Sequence, residues 1–186
     1  QNATLQEQEL WLHSKFTAFG TPSEVAAQLR RDDVCVVLRG LVAEAPTKPG
    51  CAIRAERWIG RLELLAETLR DQDLDHMAAR LEPDAACYRY VIQAWAASDK
   101  EDPDLIVRRA QRWLVKQAES PVIDQRPDTA SYNAFLDAVS KGRALKGYSS
   151  ASVVRNPANL AQEALESMIR DRRVFGNASR IAPEYN

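Results

Sequence analysis

Apolar residues recur at steps of three and four along most of the chain, which is the spacing of one face of an α-helix. The pattern is clearest over 51–70. Similar stripes predict helices over 5–19, 22–29, 84–98, 103–117, 128–142 and 157–169, and a single helical turn over 76–81. Alternating runs typical of half-buried strands are nearly absent, so the pattern favours an all-helical protein.

Helix start signals agree with this pattern. Thr21-Pro22, Asp102-Pro103 and Asn156-Pro157 each place a capping side chain directly before a proline at the first helical position. Between the helices, 143–155 is rich in Ser, Gly and Lys and is predicted to be an exposed insertion. The tail from Arg172 onward is predicted to be irregular.

The helices fall into two repeating types. Residues 83–98 and 127–142 align without a gap, 44 residues apart; both begin Pro-Asp and carry Tyr five residues after the Pro. We call this type A. A second type, B, links 54–59 with 109–114 and, more loosely, with 160–165. The apolar run 34–42 could be a buried strand, but 37–41 matches 91–95, so we predict a degenerate A helix.

An A-B-A-B-A-B order predicts the architecture, because a two-helix unit cannot bury its apolar face without stacking on neighbours. The expected fold is an all-α, α-α superhelix: a right-handed solenoid of about three helix-turn-helix pairs. Residues 1–31 would form an N-terminal helical extension. The predicted units are 32–82, 83–126 and 127–182, with 183–186 as a tail or the start of an incomplete unit.

Net charge and cysteine content limit the classes of function that the sequence suggests. The 186 residues carry a net charge of −1, which disfavours a protein whose main task is holding nucleic-acid phosphates. A local basic strip would exist if three arginine doublets lay on one face of the protein: Arg30-Arg31, Arg108-Arg109 and Arg172-Arg173. Three cysteines, an odd number with no metal-knuckle spacing, are interpreted as reduced thiols, with a disulfide as the alternative.

Sequence motifs for catalysis or metal binding are weak. Asp71, Asp73, Asp75 and Glu82 match four calcium-loop positions, but His76 stands where that loop needs Gly, so an acidic linker is the better interpretation. His13 and His76 lack ligand or catalytic partners at suitable spacing, and we expect both at the surface. We therefore expect no catalytic residues, no metal and no cofactor. The four tryptophans are expected in the core rather than stacked on bases. No run of apolar residues reaches the length of a membrane span.

Residues 127–142 resemble the first helix of a pentatricopeptide repeat, and 83–98 is a looser match. The B helices, with Ala110 and Ala164, resemble the second helix of that repeat. The resemblance covers roughly 32–186. In RNA-reading members of the family, the residue after the motif Tyr acts with the last residue of the repeat. By resemblance those pairs are Arg89 with Asp128, and Asn133 with Glu184.

The function we expect is a non-catalytic scaffold, adaptor or accessory subunit that binds protein subunits of a larger assembly. By resemblance its location would be a chloroplast or mitochondrion, soluble or peripheral. The alternative is a single-stranded RNA-binding fragment of a longer pentatricopeptide protein; DNA is not expected. The expected contacts with a partner are Arg89, Gln93, Asn133, Asp137 and the 143–155 loop.

Overall fold

The computed structural model describes residues 3–18, 20–146 and 157–175. In this part of the chain the regular secondary structure is helical, without a strand, which confirms the all-α prediction. Its helices are α1 (Leu5–Thr17), α2 (Pro22–Gln28), α3 (Arg31–Glu44), α4 (Cys51–Asp71), α5 (Asp75–Leu81), α6 (Ala85–Ala97), α7 (Pro103–Ala118), α8 (Thr129–Lys146) and α9 (Pro157–Phe175), with a 3-10 turn at Ile123–Gln125.

The packing follows the alternation of A and B helices. The type A helices are α3, α6 and α8, and the type B helices are α4, α7 and α9. Each A helix packs on the B helix that follows it, and α6 lies between α3 and α8. Helix α4 also contacts α6, and α7 contacts α8. One apolar core runs through these contacts, with α1, α2 and α5 packed against its N-terminal part.

Helix starts form as the sequence predicts. Thr21 and Glu24 form a reciprocal capping box at α2. Asp102 accepts hydrogen bonds from the backbone N–H groups of Asp104 and Leu105 at 2.9 and 3.1 Å. These contacts satisfy N–H groups that have no partner inside the helix. The apolar run 34–42 is helical, as the match to the A repeat predicted, and not a strand.

Several predicted boundaries are wrong. Helix α8 runs through Gly142 to Lys146, so the start of the predicted insertion is helical, while 147–155 lie outside the described residues. One glycine costs a helix only about 1 kcal/mol, and the helix formers after it offset this cost. Helix α9 likewise continues to Phe175, beyond the predicted irregular start at Arg172. The predicted helical turn over 76–81 is present as α5, which begins one residue earlier, at Asp75.

The apolar stripe predicted over 5–19 includes Leu5, Leu10, Trp11 and Phe16, and this prediction is wrong in part. Leu12 is fully buried, whereas Leu10 and Trp11 are 62% and 46% exposed. Helix α1 packs on α3 and α2 and binds α4 through Glu9, while the face that carries Leu10 is exposed. The expectation of core packing is confirmed for Trp58, Trp95 and Trp113, and it is wrong for Trp11.

A half-buried carboxylate in α4 joins three helices. Glu56 accepts hydrogen bonds from the indole Nε1 of Trp95 in α6 at 2.9 Å and of Trp113 in α7 at 2.6 Å. Arg109 of α7 contacts its second oxygen at 3.3 Å. A charged acceptor strengthens such hydrogen bonds, so Glu56 fixes the positions of α6 and α7 relative to α4.

The same arrangement occurs one step earlier along the chain. Glu9 of α1 accepts from Nε of Arg54 at 3.1 Å and from Nε1 of Trp58 at 3.0 Å, both in α4. In each case an Arg and a Trp four residues apart on a B helix meet one carboxylate. The B repeat seen in the sequence is therefore a repeated contact between helices.

Candidate partner-binding surface

The four residues expected to contact a partner lie on two neighbouring helices. Arg89 and Gln93 are one turn apart on α6, and Asn133 and Asp137 are one turn apart on α8. We call these four residues the A-face. Burial on the other side of α8 directs Asn133 and Asp137 outward, whereas α6 packs between α3 and α8 and leaves Arg89 and Gln93 only partly accessible. The larger buried side chains are Tyr88, Val91, Ile92 and Trp95 in α6, and Tyr132, Phe135 and Val139 in α8.

The A-face residues differ in accessibility. Asn133 and Asp137 are exposed, as predicted, and Gln93 is half-buried. The side chain of Arg89 is only 22% exposed. Asn133 and Asp137 are therefore the A-face residues most available to another molecule.

Arg89 forms an ion pair inside the protein. Its Nη1 donates to Oδ2 of Asp128, and its guanidinium lies 5.6 Å from the ring centroid of Tyr90. The other oxygen of Asp128 accepts from the backbone N and Oγ of Ser131, at 2.7 and 2.9 Å, at the start of α8. The pair that the family resemblance assigns to one base is thus brought together, but its charges are already engaged with each other.

A second ion pair of the same kind stands one unit earlier. Nε of Arg31 lies 3.3 Å from Oδ2 of Asp84, whose Oδ1 accepts from the backbone N of Cys87 at the start of α6. Both pairs border an open cavity of about 330 Å³. Each pair therefore joins an A helix to the N-terminus of the next A helix.

The arginine doublets do not supply a run of free cations in the part of the chain that the structure describes. Arg31 is paired with Asp84, and Arg109 with Glu56. Arg30 and Arg108 are exposed. The side chains of the third doublet, at 172–173, lie outside the residues described, as does Glu184, the expected partner of Asn133.

Sequence reasoning missed a groove of about 710 Å³ along α7. Its basic residues are Arg108, Arg112 and Lys116, which recur every four residues; this spacing was the available signal. Nζ of Lys116 is bound to Glu63 at 2.6 Å, and Tyr88 also donates to Glu63, at 2.7 Å. The pKa of Tyr88 is raised above its ordinary value, mainly by burial and secondly by this hydrogen bond.

The structure also brings two distant cysteines together. The Sγ atoms of Cys35 in α3 and Cys87 in α6 are 2.7 Å apart, and both are free thiols. A carboxylate oxygen of Asp84 lies within 4.8 Å of them, and among the described residues this trio is the one group with metal-ligating potential. The hydrogen bond with Cys35 and burial raise the pKa of Cys87. The 52-residue separation in sequence gave no sign of this proximity.

Other candidate residues lie apart from these groups. His13 and His76 are both exposed, as predicted. Glu82 of the calcium-like spacing is engaged by Arg70 and by the amide of Gln125. None of the described helices is long and apolar enough to span a membrane.

Comparison with known proteins adds no relative. No protein-family model, no curated protein and no solved structure matches this chain.

Proposed function

We propose that the chain is a non-catalytic helical-repeat scaffold that binds protein subunits of a larger assembly through its A-face. The observation that carries this proposal is the Arg89–Asp128 ion pair. Reading a base with these two residues would require breaking this pair. A protein partner can use the exposed residues beside it while the pair stays intact.

The proposed architecture is a short right-handed superhelix of three helix pairs. Three contacts support it: each A helix packs on the next B helix, α6 packs between α3 and α8, and B helices pack on the following A helices. Stacked pairs of this kind present one row of A helices as a continuous surface. The A-face belongs to that row.

The chemistry of the A-face suits a protein better than a polyanion. Its exposed members are an amide, Asn133, and a carboxylate, Asp137. The nearby cation Lys141 is bound to Asp99 at 2.7 Å. Amide and carboxylate groups form hydrogen bonds with polypeptide and basic side chains, whereas phosphates are attracted by free Lys and Arg.

The alternative function, binding of single-stranded RNA, is favoured by one observation. The groove along α7 is lined by the cations Arg108, Arg112 and Lys116, and a row of cations suits the phosphates of a nucleic-acid strand. Glu63 and Glu119 at the same groove reduce its attraction for phosphate. RNA bound there would not use the pairs that the family resemblance assigns. A chloroplast or mitochondrial location is part of the proposal and depends on that resemblance alone.

Paired substitutions test the proposal. We expect Asn133→Ala with Asp137→Ala to raise the Kd for a co-purifying protein at least about tenfold, which corresponds to about 1.4 kcal/mol, and to reduce its recovery accordingly. Helix content should be unchanged, because both residues are exposed. Glu67→Ala on α4, also at an exposed position, is the control and should recover the partner fully. Equal recovery by the double variant and the control would contradict the A-face as the binding surface.

A second experiment distinguishes protein binding from RNA binding. Fluorescence anisotropy with a pool of short single-stranded RNAs should show no tight binding at physiological salt. Binding that weakens steeply with salt and is lost in Arg112→Ala would favour the alternative. Binding lost in Asn133→Ala instead would restore base reading by the A helices.

A further inference from the structure

Two thiols from different repeat units lie in contact. Cys35 belongs to α3 and Cys87 to α6, the A helices of the first and second predicted units, and their Sγ atoms are 2.7 Å apart. A disulfide bond is about 2.05 Å long, so a shift of about 0.7 Å shared between two side chains would bring the sulfurs to bonding distance. The distance between the sulfurs therefore poses little obstacle to a covalent bond.

We propose that Cys35 and Cys87 are a disulfide-forming pair, a modification site that links the first two A helices covalently when an oxidised thiol compound is present. The inference is independent of which partner binds the A-face. The third cysteine, Cys51, lies at the start of α4 and is fully buried. It therefore serves as an internal control.

A metal site would need a different arrangement of the same residues. Two thiolates on one tetrahedral zinc ion, with zinc–sulfur bonds of about 2.3 Å, lie roughly 3.8 Å apart. The observed sulfurs are much closer. The third possible ligand, Asp84, already caps α6 through the backbone N of Cys87 and faces Arg31. The geometry thus favours bond formation between the sulfurs over shared coordination.

The burial of the two thiols sets the order of events. Cys35 is half-buried, whereas Cys87 is fully buried. Its hydrogen bond with Cys35 and its burial both raise the pKa of Cys87, so its thiolate is scarce at neutral pH. Because the thiolate is the attacking species, Cys35 is the residue that reacts first with an oxidant from solution.

Glutathione disulfide is a suitable oxidant. The thiolate of Cys35 attacks one glutathione sulfur, which forms a mixed disulfide and releases one glutathione. Cys87 then loses its proton and attacks Sγ of Cys35, which breaks the bond to the second glutathione. The two protein thiols lose two electrons and two protons, and one glutathione disulfide becomes two glutathione molecules.

The bond would close a long loop. Cys35 and Cys87 are 52 residues apart, and cross-linking restricts the unfolded chain more as the loop lengthens. We expect the oxidised protein to melt at least about 5 °C higher than the reduced protein. The thermal shift should be absent in Cys35→Ser.

The test is oxidation of the full chain with glutathione disulfide, then alkylation, denaturation and peptide mapping. The expected product is a peptide pair joined through Cys35 and Cys87, with free thiols falling from three to one per chain and Cys51 alkylated. Cys51→Ala should give the same linked peptides and the same thermal shift. Cys35→Ser should keep both remaining thiols, and Cys87→Ala should stop at a glutathione adduct on Cys35.

Three outcomes would overturn the proposal. One is a wild-type adduct that stays on Cys35 while Cys87 remains open to alkylation. The second is linkage through Cys51. The third is one zinc ion retained per reduced chain, with both thiols protected and no linked product after zinc is removed. Because Cys35 is only half-buried, Cys35→Ser should fold, and circular dichroism checks this directly.

Discussion

Replacing Glu56 by alanine should destabilise the protein more than replacing an exposed polar residue of the same helix. Glu56 accepts hydrogen bonds from two indole N–H groups, and it pairs with Arg109. Trp95 is fully buried and Trp113 is 8% exposed. Removing the carboxylate therefore leaves two buried donors without their acceptor.

The size of the effect follows from those contacts. A buried donor left unsatisfied costs about 1–3 kcal/mol, and Glu56→Ala leaves two. The contact with Arg109, whose side chain is 39% exposed, adds little because solvent screens it. We expect a loss of about 3 kcal/mol, which lowers the melting temperature of a chain of this length by roughly 6–12 °C. Glu56→Gln keeps one acceptor oxygen and should cost about half as much.

Urea unfolding, followed by tryptophan fluorescence and circular dichroism, measures the free energy of unfolding. Glu67→Ala is the matched control, because Glu67 is exposed on the same helix; its change should stay within about 0.5 kcal/mol. If Glu56→Ala is no more destabilising than the control, the two indole hydrogen bonds do not stabilise the fold as expected. Equal destabilisation by Glu56→Gln and Glu56→Ala would likewise contradict a role for the acceptor oxygen.

Three further outcomes follow from the same structure. Arg89→Ala should cost about 1 kcal/mol or less in urea unfolding, because the pair with Asp128 is partly exposed; a loss above about 2 kcal/mol would contradict this. Trp11→Ala should change stability by less than about 1 kcal/mol, while Leu12→Ala should cost about 2–5 kcal/mol; equal effects would refute the assigned face of α1. The raised pKa of Tyr88 means that the folded protein keeps the phenol proton above the ordinary value of 10.0. The contribution of this protonation to the free energy of unfolding is complete below pH 10.0 and is lost as the pH rises further. Tyr88→Phe should therefore lose less stability at alkaline pH than the wild type.

The sequence predicted the helices well where local signals decide them. Proline and a capping side chain start α7, and the predicted cap Asp102 is present. Helix ends were less predictable, because Gly142 in α8 looked like a stop signal while its neighbours continue the helix. Periodicity also could not tell which apolar residues of α1 find a partner, since Trp11 is exposed although it belongs to the predicted stripe.

For the candidate site, the sequence predicted which residues are exposed but not which residues contact each other. The spacing along each helix correctly placed Asn133 and Asp137 at the surface. It could not show that Arg89 reaches Asp128, because that contact joins residues 39 apart. Contacts between helices depend on how the units stack, and a periodic pattern carries no such information. The Glu56 contacts and the Cys35–Cys87 proximity were missed for the same reason.

The most direct measurement for the central claim is site-specific photo-crosslinking from Asn133 in an extract of the native cells. A benzophenone side chain at position 133, with the same group at position 67 as the control, labels whatever lies against each helix. We expect an adduct with one polypeptide from position 133, unchanged by ribonuclease and absent from position 67. An adduct that ribonuclease removes, or equal labelling from both positions, would show that the A-face is not a protein-binding surface.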